Sequence, residues 1–291
     1  MPGILTALAT PFDEDLRVDE AAAVALMHHV VGHGSDGVVM SSTTGEASTL
    51  TDDEKLGLYR LAVAELGGRA RVVANTGSND TAHSVHLTER AAEIGCDAVL
   101  AVTPYYNLPP RAGIVGHFAA IAEVGLPVIV YNIPGRAQIN LDPDLLAELA
   151  QVPNVVGVKQ ANNDLAQLDR ITGGTPLDVY AGNDDLLLAV LERGGAGIIS
   201  VASHLVGPQM AAMARAAERG DLDEARRIDA GLQDLYAALF VTTNPILIKT
   251  ALELVGLIPS GRVRLPLVAA TPVQRQVLRT VLEADGILAR A

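Results

Sequence analysis

Eight short apolar runs, separated by segments with helical spacing, fill the first two-thirds of the chain and leave few folds open to it. The runs cover residues 4–10, 37–42, 72–77, 98–104, 127–134, 155–161, 178–182 and 195–202. Their Val, Ile, Leu and Ala content is that of strands covered on both faces. Residues 19–34, 52–67, 82–95, 112–124 and 142–151 carry helical periodicity between them. Thr51-Asp52-Asp53-Glu54 has the form of a capping box, Asp142-Pro143 opens another helix, and Gly34, Gly67-Gly68 and Gly95 supply stops. Strands alternating with helices imply a parallel sheet. Eight repeats suit a closed (β/α)8 TIM barrel better than an open doubly wound sheet, and no glycine-rich dinucleotide fingerprint follows the first strand.

After residue 202 the alternation stops. Residues 209–219, 222–240, 245–255 and 272–284 all read as helical. The expected division is a barrel over residues 1–221 and a small helical domain over 222–291, with the boundary near Gly220-Asp221. A length of 291 residues accommodates both.

With 49% hydrophobic residues but only 3% aromatic ones and no Trp, the core must be aliphatic. A net charge of −13 repels phosphate backbones and anionic lipid, so nucleic acid and membrane surfaces are poor partners. One cysteine, Cys96, excludes an internal disulfide and a multi-cysteine zinc site. The seven histidines fall mostly on helical stretches, and His83 and His86 share a face without further ligands, so no metal is expected. The N-terminus lacks a basic region before Asp13-Glu14-Asp15, and no uncharged apolar run reaches the roughly 18 residues of a membrane span. A cytoplasmic, soluble protein is the expectation.

Barrel enzymes carry their chemistry at the C-terminal ends of the strands. In this chain those ends hold Ser41-Ser42-Thr43-Thr44-Gly45-Glu46, Thr103-Pro104-Tyr105-Tyr106-Asn107, Tyr131-Asn132-Ile133-Pro134-Gly135-Arg136, Lys159, Gly182-Asn183-Asp184 and Ile199-Ser200. Lys159 ends an apolar run, where an ammonium needs a partner or loses its proton. A neutral lysine amine attacks carbonyl carbon and forms a Schiff base. The other reading, that Lys159 caps its strand and points into solvent, stays open on this segment alone.

Taken together, Thr-Thr-Gly-Glu, Pro-Tyr-Tyr-Asn, Tyr-Asn-x-Pro and Val-Lys stand in order on successive strands. The chain resembles the dihydrodipicolinate synthase and N-acetylneuraminate lyase family of Schiff-base-forming class I aldolases, over nearly its whole length, including Asn244-Pro245 and Lys249. That resemblance implies Lys159 as the residue forming an imine with pyruvate, and Tyr131 as its proton-transfer partner. It implies Thr43 and Tyr106 as the rest of the proton relay, with Tyr106 reaching across from a neighbouring subunit. Thr44 would hold the pyruvate carboxylate, the Ile199 carbonyl would lie against the keto acid, and Arg136 would receive the carboxylate of the second substrate. The implied reaction condenses pyruvate with L-aspartate 4-semialdehyde to 4-hydroxy-tetrahydrodipicolinate, on the way to lysine and diaminopimelate. No cofactor is implied, and the assembly would be a homotetramer, a dimer of dimers.

Several positions depart from the family pattern: Ser42 for glycine, Gln160 for Glu or Asp, Ala137-Gln138 after the arginine, and Asn183 for aspartate. The alternatives are an aldolase for 2-keto-3-deoxy sugar acids or sialic acid with the same Lys159 chemistry, and a catalytically silent paralogue. The positions matching a lysine effector site are Ala47, Ser48, Asp52, Lys55, Asn79, His83 and Tyr105. His83 stands where feedback-regulated relatives carry a glutamate, and Lys55 where inhibited ones carry a histidine, so weak inhibition at a degenerate site is expected.

Overall fold

A computed structural model describes residues 3–289. Residues 1–2 and 290–291, part of the terminal segments read above, lie outside the described residues. Eight parallel strands form a closed barrel: β1 (Gly3–Ala7), β2 (Gly37–Met40), β3 (Arg71–Asn75), β4 (Ala98–Val102), β5 (Val128–Asn132), β6 (Val155–Gln160), β7 (Asp178–Ala181) and β8 (Gly197–Ser200). They pair in sequence order, and β8 closes on β1.

The period-2 alternation of each strand explains the unbroken aliphatic runs. Leu5, Ala7, Val39, Val73, Leu100, Ile129, Tyr131, Tyr180 and Ile199 fill the barrel interior. Their neighbours Ile4, Val38, Val72, Val99, Val130, Val158 and Ile198 pack outward against the helices. On β6 this phase puts Val158 outside and Ala161 inside, so Lys159 faces the interior. Gly157, on the same face, leaves room for the Tyr180 ring, which would lie 3.3 Å from an added Cβ.

The capping box at Thr51 and Glu54 opens the helix Asp52–Leu66, and Asp142 caps Pro143–Leu149, as their sequences require. The expected helix over 209–219 begins earlier, as Ser203–Glu218, with a kink at Val206. Pro208 has no N–H to give the His204 carbonyl. That carbonyl meets the His29 ring instead, at 3.2 Å. The expected single helix over 222–240 is two, Leu222–Ala230 and Gln233–Leu239. The break at Gly231-Leu232 lets Leu232, Leu235 and Tyr236 all turn inward. The chain then returns to the barrel top at Asn244, Lys249 and Arg264. Among the described residues no helix is long and apolar enough to cross a membrane.

Candidate active site

Lys159 lies on β6 directly opposite Tyr131 on β5. It is 4% exposed, which excludes the solvent-facing strand cap. Its Nζ sits over the Tyr131 ring, 4.4 Å from the centroid. Burial pulls the Lys159 amine down to about 8; the Asp184 carboxylate opposes this and the Arg136 guanidinium adds to it. Burial pushes the Tyr131 phenol up to about 12, against the influence of Arg136 and Thr43. The pair therefore joins an amine that is partly neutral near pH 7 to a phenol that keeps its proton. A nucleophile beside a proton donor is what imine formation needs. The Tyr131 carbonyl, taken by the Thr103 N–H and hydroxyl at 3.0 and 2.9 Å, fixes the tyrosine from behind.

Thr43 and Thr44 follow β2 in a tight turn, with Thr43 half-buried and Thr44 buried. The Thr44 hydroxyl accepts a hydrogen bond from Asn244 Nδ2 at 3.0 Å, so the C-terminal helical segment contributes directly to the site. Arg136, exposed on the short helix Pro134–Ala137, donates to the Asn244 carbonyl at 3.4 Å. Ile199 is fully buried in the interior layer that contains Tyr131.

Beneath Thr44, Glu46 is also buried. Its Oε1 accepts from Lys249 Nζ at 2.6 Å and its Oε2 from the Arg264 N–H at 2.9 Å. Lys249 and Arg264 both lie over the Phe12 ring, at 4.1 and 4.4 Å. This clamp joins the β2 turn to the C-terminal segment.

A cavity of about 590 Å³ has Thr43, Tyr131, Arg136 and Asn244 among its lining. Lys159 is not a lining residue; it sits behind Tyr131, which is. The same cavity extends to Ala47, Ser48, Lys55, Asn79, His83 and Tyr105, six of the positions expected from sequence to match an effector site. Asp52 is tied up there: Oδ2 meets His83 Nε2 at 2.9 Å and Oδ1 accepts from Lys55 Nζ at 3.3 Å. Burial pushes the Asp52 carboxyl up, but those two partners outweigh it and hold it below the ordinary carboxylate range.

Tyr106 is not brought to the others within one protomer. It is 89% exposed, with a left-handed φ of 72° that turns the loop outward, and it does not line the cavity. Sequence reasoning placed Asp184 at a strand end but gave it no role. This carboxylate is 2% exposed and accepts from the Ser200 hydroxyl at 2.5 Å, the Val201 N–H at 3.2 Å and the Ala202 N–H at 3.1 Å. It holds the end of β8 beside Ile199 and lends Lys159 a negative field. Burial pushes its own carboxyl up, more than the Ser200, Ala202 and Val201 hydrogen bonds and Lys159 pull it down. Only burial separates it from the neighbouring carboxylate of Asp185, which is exposed, and no sequence signal carries that. Among the described residues, no cluster of three or more His, Cys, Asp or Glu is placed to hold a metal ion.

A model of the dihydrodipicolinate synthetase family matches residues 1–285. The chain belongs to that family. It is 44% identical over 289 residues to a 4-hydroxy-tetrahydrodipicolinate synthase of Cyanothece sp., with 98% of each chain covered. Among the family's solved structures, it resembles the lysine-bound dihydrodipicolinate synthase of Cyanidioschyzon merolae with a TM-score of 0.96, 41% identity and 99% of each chain covered. It also resembles the chloride-inhibited dihydrodipicolinate synthase of Acinetobacter baumannii complexed with pyruvate, with a TM-score of 0.96, 34% identity and 99% of each chain covered.

Proposed function

We propose that this chain is a 4-hydroxy-tetrahydrodipicolinate synthase, condensing pyruvate with L-aspartate 4-semialdehyde through a Schiff base on Lys159. The observation that carries the reading is the buried Lys159 amine against Tyr131, with its pKa lowered to about 8, in a chain of this family. The neutral amine adds to C2 of pyruvate and the carbinolamine loses water to leave an iminium, an electron sink for removal of a C3 proton. The resulting enamine forms the new bond to the aldehyde carbon, whose oxygen takes a proton, and the amino group of the aldehyde substrate then displaces Lys159 from the regenerated iminium as the ring closes. Tyr131 is the proton carrier for these steps, with Thr43 of the same subunit, and Tyr106 of the partner subunit, completing the relay. Thr44 and the Ile199 carbonyl hold the keto acid, and Arg136 receives the carboxylate of the aldehyde substrate, a task suited to a guanidinium.

The relatives named above are synthases, which sets this activity ahead of the sugar-acid and sialic-acid alternatives. The intact pair of Lys159 and Tyr131 weighs against a silent paralogue. The exposure of Tyr106 supports an assembly of at least two subunits, in our reading a dimer of dimers. The single cysteine fits a reducing cytoplasm as the place of action.

Two assays test the reading. Pyruvate with borohydride should add a reduced three-carbon adduct to Lys159 and to no other lysine, and Lys159→Arg should abolish it. Semialdehyde-dependent pyruvate consumption should far exceed turnover on a panel of keto-deoxy sugar acids. An unmodified Lys159 would refute the Schiff base, and the reverse substrate order would refute the acceptor.

A further inference from the structure

Behind Lys159 and Tyr131, on the outer face of the same two strands, lies a cluster of side-chain amides with no place in the chemistry above. Asn132 follows Tyr131 and Gln160 follows Lys159, and the β5–β6 register sets Asn132 opposite Gln160 just as it sets Tyr131 opposite Lys159. Alternation turns both amides away from the interior. Asn132 is 0% and Gln160 1% exposed. Asn132 Nδ2 donates to Gln160 Oε1 at 3.0 Å and to Asn140 Oδ1 at 2.9 Å, while its Oδ1 accepts from the Leu141 N–H at 3.0 Å. Gln160 Nε2 donates to Asn162 Oδ1 at 2.8 Å. Gln167, on the helix Leu165–Gly174, closes the circuit by donating to the Leu141 carbonyl at 2.7 Å and accepting from Asn140 and Asn162.

We infer that Asn132 and Gln160 are positioning residues for the reaction, an uncharged clamp that holds the ends of β5 and β6 in the register Tyr131 and Lys159 need. This rests on the Schiff-base reading. The backbone ladder runs out here: the Ala161 N–H to the Asn132 carbonyl, at 2.9 Å, is the last β5–β6 bond. Beyond it the two strands part into separate loops, and the Asn132–Gln160 bond is the side-chain link that continues the pairing. A buried polar circuit fixes geometry only if its members are satisfied. Every amide nitrogen and oxygen of Asn132, Gln160 and Gln167 has a partner.

Neutrality is what sets this chain apart from the family pattern of Glu or Asp at the position of Gln160. The circuit contains no ionisable group. Asp142 and Asp164, which follow Leu141 and Asn162 closely in the chain, cap the helix N-termini at Leu145 and Gln167. On the interior side, Lys159 lies over the Tyr131 ring and feels the charges of Asp184 and Arg136. A carboxylate at position 160 could still accept from Asn132 but could not donate to Asn162. Its charge, one residue from Lys159, would favour the ammonium over the nucleophilic amine.

The test compares Gln160→Glu and Gln160→Met with wild type in the full-length enzyme. The readouts are kcat, KM for each substrate, thermal unfolding, and the pH dependence of pyruvate–borohydride trapping. In Gln160→Glu the trapping midpoint should move up by on the order of half a pH unit. In Gln160→Met it should stay in place while kcat falls at least roughly tenfold and KM for pyruvate barely moves, as misplacement of a reacting pair predicts. If the buried variants do not fold, Asn162→Ala, at a half-buried edge, removes the acceptor of Gln160 together with the Asn162 donations to Asn140 and Gln167, and should lower kcat in the same way. Folded variants with wild-type kcat and wild-type midpoint overturn the clamp alone. Wild-type protein that traps no pyruvate overturns the Schiff base, and the clamp with it.

Discussion

The amine of Lys159 lies 4.4 Å from the centre of the Tyr131 ring, and the two residues are direct partners across the β5–β6 ladder. Two opposing influences meet at this contact. A ring face favours the ammonium, whereas complete burial favours the neutral amine. Burial wins, leaving a pKa of about 8.

The pH dependence of adduct formation follows directly. Below pH 8 the neutral fraction of Lys159 falls about tenfold per unit. Trapping by pyruvate and borohydride should therefore accelerate with pH and level off above about 8. Tyr131 stays protonated up to about 12 and imposes no falling limb before that. Stability moves in the same direction. The folded state binds the Lys159 proton less tightly than the unfolded chain does, so this group penalises folding below about 8, and the penalty fades as pH rises towards 10.5. Trapping rates that are flat between pH 6 and 8 would contradict the lowered pKa.

Arg136 should matter to one substrate only. It is exposed at the cavity mouth and bonded to the Asn244 carbonyl, and acts on the Lys159 amine through its charge alone. Arg136→Ala should raise KM for the aldehyde roughly tenfold or more through loss of a charge-assisted pair, and leave KM for pyruvate nearly unchanged. Equal damage to both constants would count against the assignment. Tyr106→Phe should lower kcat only if that ring crosses to a neighbouring subunit, and light scattering should then show no active monomer.

L-Lysine should inhibit weakly. An α-ammonium entering at the effector positions would need a carboxylate there, and Asp52 is already shared by His83 and Lys55. The Lys55 ammonium, which lines the cavity, adds repulsion. Half-inhibition is expected above about 1 mM, an affinity near 4 kcal/mol. Initial rates across a lysine series decide it, and submillimolar inhibition would mean that Asp52 can release its partners.

The buried pair of Lys249 and Glu46 should prove costly to break from one side. Lys249→Met leaves the Glu46 carboxylate buried with only the Arg264 N–H, a loss of about 3–5 kcal/mol. Lys249→Met combined with Glu46→Gln removes the stranded charge and should recover part of that loss. Calorimetry on the two variants would show it, and equal melting temperatures for both would exclude the mechanism.

The barrel and the candidacy of Lys159 are legible in the chain itself, whereas the inward phase of strands covered on both faces is not. The first two depend on local periodicity and on the rarity of lysine in a buried strand. Caps at Thr51 and Asp142 are equally local, since each needs only the residues of one helical turn. The break at Gly231-Leu232, the burial of Asp184 and the reach of Asn244 to Thr44 are not. Each depends on which distant surface arrives to cover or bond the residue, and Asn244 and Thr44 are 200 positions apart. The amide circuit shows the division most clearly. Sequence places Asn132 and Gln160 beside the reacting pair, but their bond exists only because the closed sheet sets β5 and β6 in one register. The apolar run singled out Lys159 and the family resemblance named its partners, while the lowered pKa of Lys159 required the barrel to close around it and exclude water.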